Sequence, residues 1–385
     1  MTTGTAIPVP RLIDVDGLSA LYRLLVAEGY RVIGPAVQDG AIVLRELAAA
    51  EELPFGWGVE LEAGSYRLRR RDDDAAFGHA AGPQSWKRFL HPPREKLWSA
   101  TRTADGFDVD EDDEQPPRYA FLGVRPCDLR AIEIQDRVLG QPGSRYARRR
   151  EGAFVIAVNC TEPGETCFCV STGTGPSAEE GYDLALTELA PALVPIELAD
   201  DANHRFLVEA GSPRGAAILD RIPSREAPEA EVREARTAVK VAADHMGREM
   251  DTGGLRELMA GSYGAARWDD VAARCLTCGN CTLACPTCFC TSVEDSSDLT
   301  GEHAERWELW DSCFDLDFSY LHGGSVRTSP KSRYRQWLTH KLGTWHDQFG
   351  SSGCVGCGRC IVWCPAGIDL TEEVKALRDE QEDQQ

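Results

Sequence analysis

Residues 275–290, CLTCGNCTLACPTCFC, place six cysteines within sixteen residues. Cys275, Cys278, Cys281 and Cys285 follow the spacing C-x2-C-x2-C-x3-C, with Pro286 next. The arrangement recurs as Cys354, Cys357, Cys360 and Cys364, followed by Pro365. In such a run three closely spaced thiolates bind one [4Fe–4S] cube and the fourth crosses to a second cube. A tight loop can cap three neighbouring iron corners, but the fourth corner points away and needs a ligand from elsewhere. The spacing therefore predicts one cluster on Cys275, Cys278, Cys281 and Cys364, and a second on Cys354, Cys357, Cys360 and Cys285. Paired Cys-x2-Cys knuckles also hold zinc, yet two complete runs, each with its proline, exceed what a zinc ribbon uses.

Of the 15 cysteines, seven remain. Cys127 (RPCDLRA), Cys160 (VNC), Cys167 and Cys169 (TCFC) follow predicted strands, and four converging thiolates would suffice for a third cluster. Arg125 and Arg130 would offset its negative charge. The spacings of 33, 7 and 2 fit no general motif, so zinc and buried free thiols stay open as alternatives. TCFC recurs at 287–290. Cys288, Cys290 and Cys313 are one thiol short of a cubane set and have no assigned role. His340 and His346 read as packing or capping residues. Trp337, Trp345 and Trp363 read as core that keeps water from the clusters, since solvent exposure shifts cluster potentials.

These residues need elements to position them. LSALYRLLVAEGY has a helical pattern and AIVLREL a strand pattern. YAFLGV reads as a buried strand running into the helical RPCDLRAIEIQDRVL, and AFVIAVN as a strand leading to CTEPGETCFC. The acidic segment Asp105–Pro117 reads as a solvent loop. PSREAPEAEV near Pro223–Pro228 reads as a linker, and beyond it EVREARTAVKVAADHMGREM, RWDDVAAR and RYRQWLTHKLGTWHDQF are helical in pattern. Between Cys285 and Cys354 lie 68 residues, far more than a small βαβ ferredoxin carries. The expected fold is α+β: an N-terminal mixed α/β domain at 1–228, then an all-helical ferredoxin-type domain at 229–385 carrying two [4Fe–4S] clusters.

The chain's 385 residues suit two or three domains. A net charge of −21 repels phosphate backbones and anionic lipid, so neither nucleic acid nor membrane is an expected partner. The short basic runs Arg69–Arg71 and Arg148–Arg150 read as solvated loops. MTTGTAIPVPRL lacks the charged and apolar regions of a secretory signal, and no apolar stretch reaches bilayer length. A cytoplasmic location is expected, where thiols stay reduced and clustered cysteines point to metal. No Gly-x-Gly-x-x-Gly fingerprint or Walker loop is present, so no nucleotide is expected on this chain.

FLGVRPCDLRAIEIQDRVL, VNCTEPGETCFCVSTGTGP, RCLTCGNCTLACPTCFC and GCVGCGRCIVWCPAGIDL, in that order, resemble the beta subunit of soluble NADP-linked [NiFe] sulfhydrogenases. The iron–sulfur relay chain of anaerobic sulfite reductase is related to that family. The resemblance spans roughly residues 10 to 375. It implies an iron–sulfur relay without catalytic residues, passing single electrons between a [NiFe] pair of large and small subunits and an FAD/NAD(P)-binding gamma subunit. Two readings stand beside it: the relay of a sulfite reductase, and a polysulfide reductase that uses the N-terminal cysteines as a dithiol.

Overall fold

The computed structural model describes residues 9–111, 115–189 and 204–383. Its strands are β1 (Arg11–Asp14), β2 (Arg31–Gln38), β3 (Ala41–Glu46), β4 (Trp57–Glu62), β5 (Ser65–Arg70), β6 (Arg94–Thr103) and β7 (Gly106–Asp110). They continue as β8 (Tyr119–Val124), β9 (Phe154–Val158), β10 (Leu184–Leu189), β11 (Arg205–Ala210), β12 (Arg225–Glu226), β13 (Thr291–Ser297) and β14 (His303–Trp310). A two-residue hairpin pair, Tyr320–Leu321 with Gly324–Ser325, follows.

Eight of these strands form one mixed sheet in the order β12-β1-β11-β10-β9-β8-β2-β3. Its centre, β2, β8, β9 and β10, is parallel, and both faces are covered, as parallel sheets require. Phe154, Ile156 and Val158 of β9 pack on one face against Leu18, Leu21 and Leu25 of the helix Val15–Ala27. Val155 and Ala157 face the other way, toward Leu129 and Ile132 of the helix Pro126–Leu139. The periodicity predicted these elements, and the structure agrees. Because β8 and β9 are parallel neighbours, the chain leaves both at the same edge of the sheet. Cys127 follows β8 and Cys160 follows β9, so the topology delivers both to one place, where α/β sheets commonly build sites.

The C-terminal region departs from the all-helical expectation. β13 and β14, from the stretch between the two ferredoxin-type runs, pair with each other and then with β6 and β7 in a four-stranded sheet. TSVEDSS holds a single large apolar residue, Val293, and that is exposed, so hydrophobic periodicity gives it no weight. Its neighbours hold together through cations over rings: Arg94 lies 4.1 Å from the Trp307 ring centroid and Arg306 5.3 Å from that of Trp98. The helical parts of the region are as the pattern predicts, at Glu229–Asp244, Arg267–Arg274 and Pro330–Thr339, the last running on through a π-turn to Phe349.

Three smaller expectations also change. Gly106–Asp110, within the predicted acidic loop, is a fully exposed edge strand. Arg225–Glu226, within the predicted linker, adds to β1. The basic runs are not loops. Arg69 and Arg70 lie on β5, Arg71 is buried against Asp73 and Glu162 at 2.6 Å each, and Arg148–Arg150 lie in the helix Arg145–Gly152. Among the described residues no helix is long and apolar enough to cross a membrane.

Candidate iron–sulfur sites

The two ferredoxin-type runs fold alike. In the first, Cys275 ends the helix Arg267–Arg274, Thr277 and Gly279 take left-handed backbone, and a short helix Asn280–Leu283 carries Cys281. In the second, Gly356 and Gly358 take the same positions ahead of the helix Arg359–Val362, which carries Cys360. Cys275, Cys278, Cys281 and Cys364 line a single cavity roofed by the aromatic rings of Phe314, Tyr334 and Trp337. The backbone N–H groups of Thr277 and Ile368 lie 3.4 Å from the Cys275 and Cys364 sulfurs, well placed to favour thiolates. Cys278 is exposed, so this site comes nearest to solvent.

Cys285 turns from the first run toward the second, where its thiol is in electrostatic contact with Cys354, Cys357 and Cys360. Lys341 donates to the Cys285 sulfur at 3.2 Å, to Thr287 Oγ1 at 3.1 Å and to the Gly353 carbonyl at 3.2 Å. A hydrogen bond from Cys288, with the Lys341 ammonium beside it, holds the Cys285 thiol well below the ordinary range. Burial opposes the charge of Lys341, but Cys285 and Cys288 hold it protonated well above the usual range. Burial pushes the Cys354 thiol up to about 12; iron binding would displace such a proton.

Cys127, Cys160, Cys167 and Cys169 also converge. They line one cavity together with Arg125, Met246 and Cys357. Cys127 lies in the first turn of the helix Pro126–Leu139, where unpaired N–H groups favour a thiolate. Arg125 is fixed by the carbonyls of Phe77 (2.6 Å) and His79 (2.8 Å) and reaches to 3.9 Å from the Cys160 sulfur. Arg130, the other cation expected here, instead pairs with Glu133 on its own helix. Burial pushes the Cys167 thiol up to about 12 and raises those of Cys127, Cys160 and Cys169. Among the described residues no three His, Cys, Asp or Glu side chains close on a single metal ion; the four thiols surround a space instead.

The TCFC loop at 166–169 packs directly on the second ferredoxin-type loop. The Phe168 N–H donates to the Gly356 carbonyl at 2.8 Å, and Thr174 Oγ1 to that of Val355 at 2.7 Å. A side chain at Gly356 would stand 2.6 Å from the Cys169 Cα, and one at Gly358 2.4 Å from the Thr166 carbonyl oxygen. Both positions also have positive φ, so glycine is required there twice over.

A 4Fe-4S dicluster domain model matches residues 274–368. The chain is 31% identical over 296 residues to sulfhydrogenase 2 subunit beta of Pyrococcus furiosus, covering 76% of this chain and 82% of that one. The chain belongs to the sulfhydrogenase beta-subunit family. It is an iron–sulfur, electron-transfer subunit that carries [4Fe–4S] clusters. No solved structure matches it.

The three thiols without a role in the ferredoxin pattern lie beside these sites. In this sulfhydrogenase beta-type chain the Cys288 thiol lies beside that of Cys285, and the Cys290 thiol beside that of Cys313, each close enough to shift its neighbour's pKa. Lys87, from the N-terminal half, is buried over the Trp310 ring at 3.7 Å and donates to the Cys288 carbonyl at 3.0 Å. Nothing in the sequence marks Lys87, Lys341, Arg359 or Asp128, because a buried charge and a solvated one look alike there. Trp337 and Trp345 are buried core, as expected, while Trp363 is partly buried against Tyr66. His340 stacks on Trp345 and bonds Gln348 at 2.8 Å, the packing role expected of it.

Proposed function

We propose that this chain relays single electrons within a multisubunit [NiFe] hydrogenase, between the large and small hydrogenase subunits and an FAD/NAD(P)-binding gamma subunit. In this reading Cys275, Cys278, Cys281 and Cys364 hold one [4Fe–4S] cluster, Cys354, Cys357, Cys360 and Cys285 a second, and Cys127, Cys160, Cys167 and Cys169 a third. Bound clusters of this kind supply one-electron redox chemistry. The chain's own residues position the thiolates, exclude water and set the local charge.

One observation carries the reading. Cys360 lines the cavity of the first set and Cys357 lines the cavity of the N-terminal set, while both belong to the second ferredoxin-type run. The second set is thus the middle of a series. The first set ends at exposed Cys278, and the third ends at the edge of the large sheet. A series with two separate ends suits a relay between two partners. Arg125 and Lys341 supply cations along it, as a run of anionic centres in a dry interior requires.

Iron and sulfide analysis with EPR after anaerobic purification tests the proposal. Three cubanes give about twelve irons per chain, and the ferredoxin pair alone gives about eight. A count of eight, with zinc or free thiols in the N-terminal cavity, would reject the third site. Isolation of the chain from its source without hydrogenase subunits would reject the proposed assembly.

A further inference from the structure

We propose that Tyr334 and Trp337 tune the first cluster site, donating their side-chain O–H and N–H to the sulfur atoms gathered by Cys275, Cys278, Cys281 and Cys364. Both side chains line that cavity, and both residues are only 4% exposed. Neither the Tyr334 hydroxyl nor the Trp337 Nε1 has a hydrogen-bond partner among the described residues. A buried donor left without a partner costs free energy, and protein interiors rarely keep one. Two in the wall of one thiol-lined cavity call for an acceptor inside it. Thiolates and cluster sulfides are such acceptors, and hydrogen bonds to them help set the reduction potential.

Trp268, in the same aromatic group, shows the contrast. It packs on Tyr334 at a centroid distance of 6.4 Å, yet its Nε1–H donates to the Ser262 carbonyl at 2.6 Å. Trp345 and Trp363 also leave Nε1 without a partner, but neither ring lines this cavity, and the same role does not extend to them.

The elements hold the two donors in place. Tyr334 and Trp337 stand three residues apart in the helix Pro330–Thr339, so one helix face carries both to the cavity. Ser329 and Ser332 close a capping box at the start of that helix. Arg333 ties it to the neighbouring chain, donating to the carbonyls of Phe314 at 3.0 Å, Arg327 at 2.9 Å and Thr328 at 3.2 Å. The Tyr334 and Trp337 rings meet at a centroid distance of 5.4 Å, and Phe314 packs on them at 6.2 and 5.9 Å.

A hydrogen bond strengthens as its acceptor gains negative charge. When one electron enters the site, the Tyr334 O–H and the Trp337 N–H stabilise the added charge and keep their protons, since neither group ionises near neutral pH. Each donor therefore raises the potential of the site without taking part in the transfer. This role rests on the relay reading insofar as that reading places a [4Fe–4S] cluster on these four cysteines.

The test is an EPR-monitored redox titration of the anaerobically purified chain and of its Y334F and W337F variants, each of which removes one donor and keeps an aromatic ring. The first site's signal is the one missing from a C278S variant. The expected result is a lower potential for that signal in each variant, the reduction equilibrium moving about tenfold toward the oxidised state, which is about 59 mV for one electron. Water admitted by a looser wall would favour the more charged, reduced state and move the potential up, so the sign separates a donor from mere packing. An unchanged or higher potential in both variants overturns the proposal. Should either variant fail to hold iron, the wild-type chain grown with tryptophan isotopically labelled at the indole nitrogen decides. Its first signal is expected to show the labelled nitrogen in pulsed EPR, and absence of that coupling overturns the proposal. If C278S loses no signal, the cluster placement falls and this role with it; if the signal is lost but the potentials stay, the donor role alone falls.

Discussion

The guanidinium of Arg359 grips the carboxylate of Asp128 through two bonds of 2.7 and 2.8 Å, and both side chains are almost wholly buried. Asp128 follows Cys127, and Arg359 precedes Cys360. A third bond runs from Arg359 to the Gly82 carbonyl at 3.1 Å. This pair locks the first turn of the helix Pro126–Leu139 to the second ferredoxin-type run, 231 positions away. Breaking a buried pair on one side leaves an uncompensated charge and costs about 3–5 kcal/mol, while replacing both partners with apolar residues is often neutral. R359M is therefore expected to lower stability by about that amount, and R359M/D128L to recover most of it. Anaerobic urea unfolding measures both, and equal losses in the two variants would refute a pairing role.

The N-terminal cavity makes a separate prediction. C160S removes one of four thiols without touching the ferredoxin-type runs. It should lower the iron content from about twelve to about eight per chain and leave the other EPR signals in place. An unchanged iron count would remove Cys160 from any ligand set.

Lys341 places a buried ammonium 3.2 Å from the Cys285 sulfur. A unit charge this close is worth on the order of 5 kcal/mol at an effective dielectric of about 20. K341M, which keeps the side chain's length, removes a charge that favours the more anionic, reduced state. The potential of the neighbouring centre should fall by roughly 200 mV. An EPR-monitored redox titration reads it, and a shift toward positive potential would contradict the assignment.

His91 gives the pH dependence. Burial, then the nearby Lys87 cation, pushes its pKa down to about 4. Above the ordinary histidine pKa of about 6.5 it is neutral in both folded and unfolded chains. Below that pH the unfolded chain binds a proton that the folded one refuses, so stability falls until the folded pKa is reached. The slope from one such group approaches about 1.4 kcal/mol per pH unit. H91Q should flatten the stability profile between about pH 6.5 and pH 5, and an unchanged profile would show that His91 is not what limits acid stability.

How much was legible in the sequence follows from what each feature depends on. The two ferredoxin-type runs are local: their spacing sets loop geometry within about a dozen residues, so Cys275 to Cys285 and Cys354 to Cys364 could be read directly. The same holds for β8, β9 and the helix after β8, whose apolar patterns show which faces are buried. The hairpin of β13 and β14 was not legible, because it is polar, exposed and paired with β6 from the other half of the chain. The convergence of Cys127 with Cys160 depends on β8 and β9 being parallel neighbours, and no spacing in the sequence encodes that.

The sequence alone determined the redox chemistry, since thiolate spacing selects iron–sulfur clusters whatever surrounds them. Tertiary structure decided the rest. It brought Cys357 to the N-terminal cavity, set Arg359 against Asp128 and buried Lys341 beside Cys285. Each is a contact between segments far apart in the chain or a burial that changes what a charge or thiol does. Such contacts arise only when the elements pack.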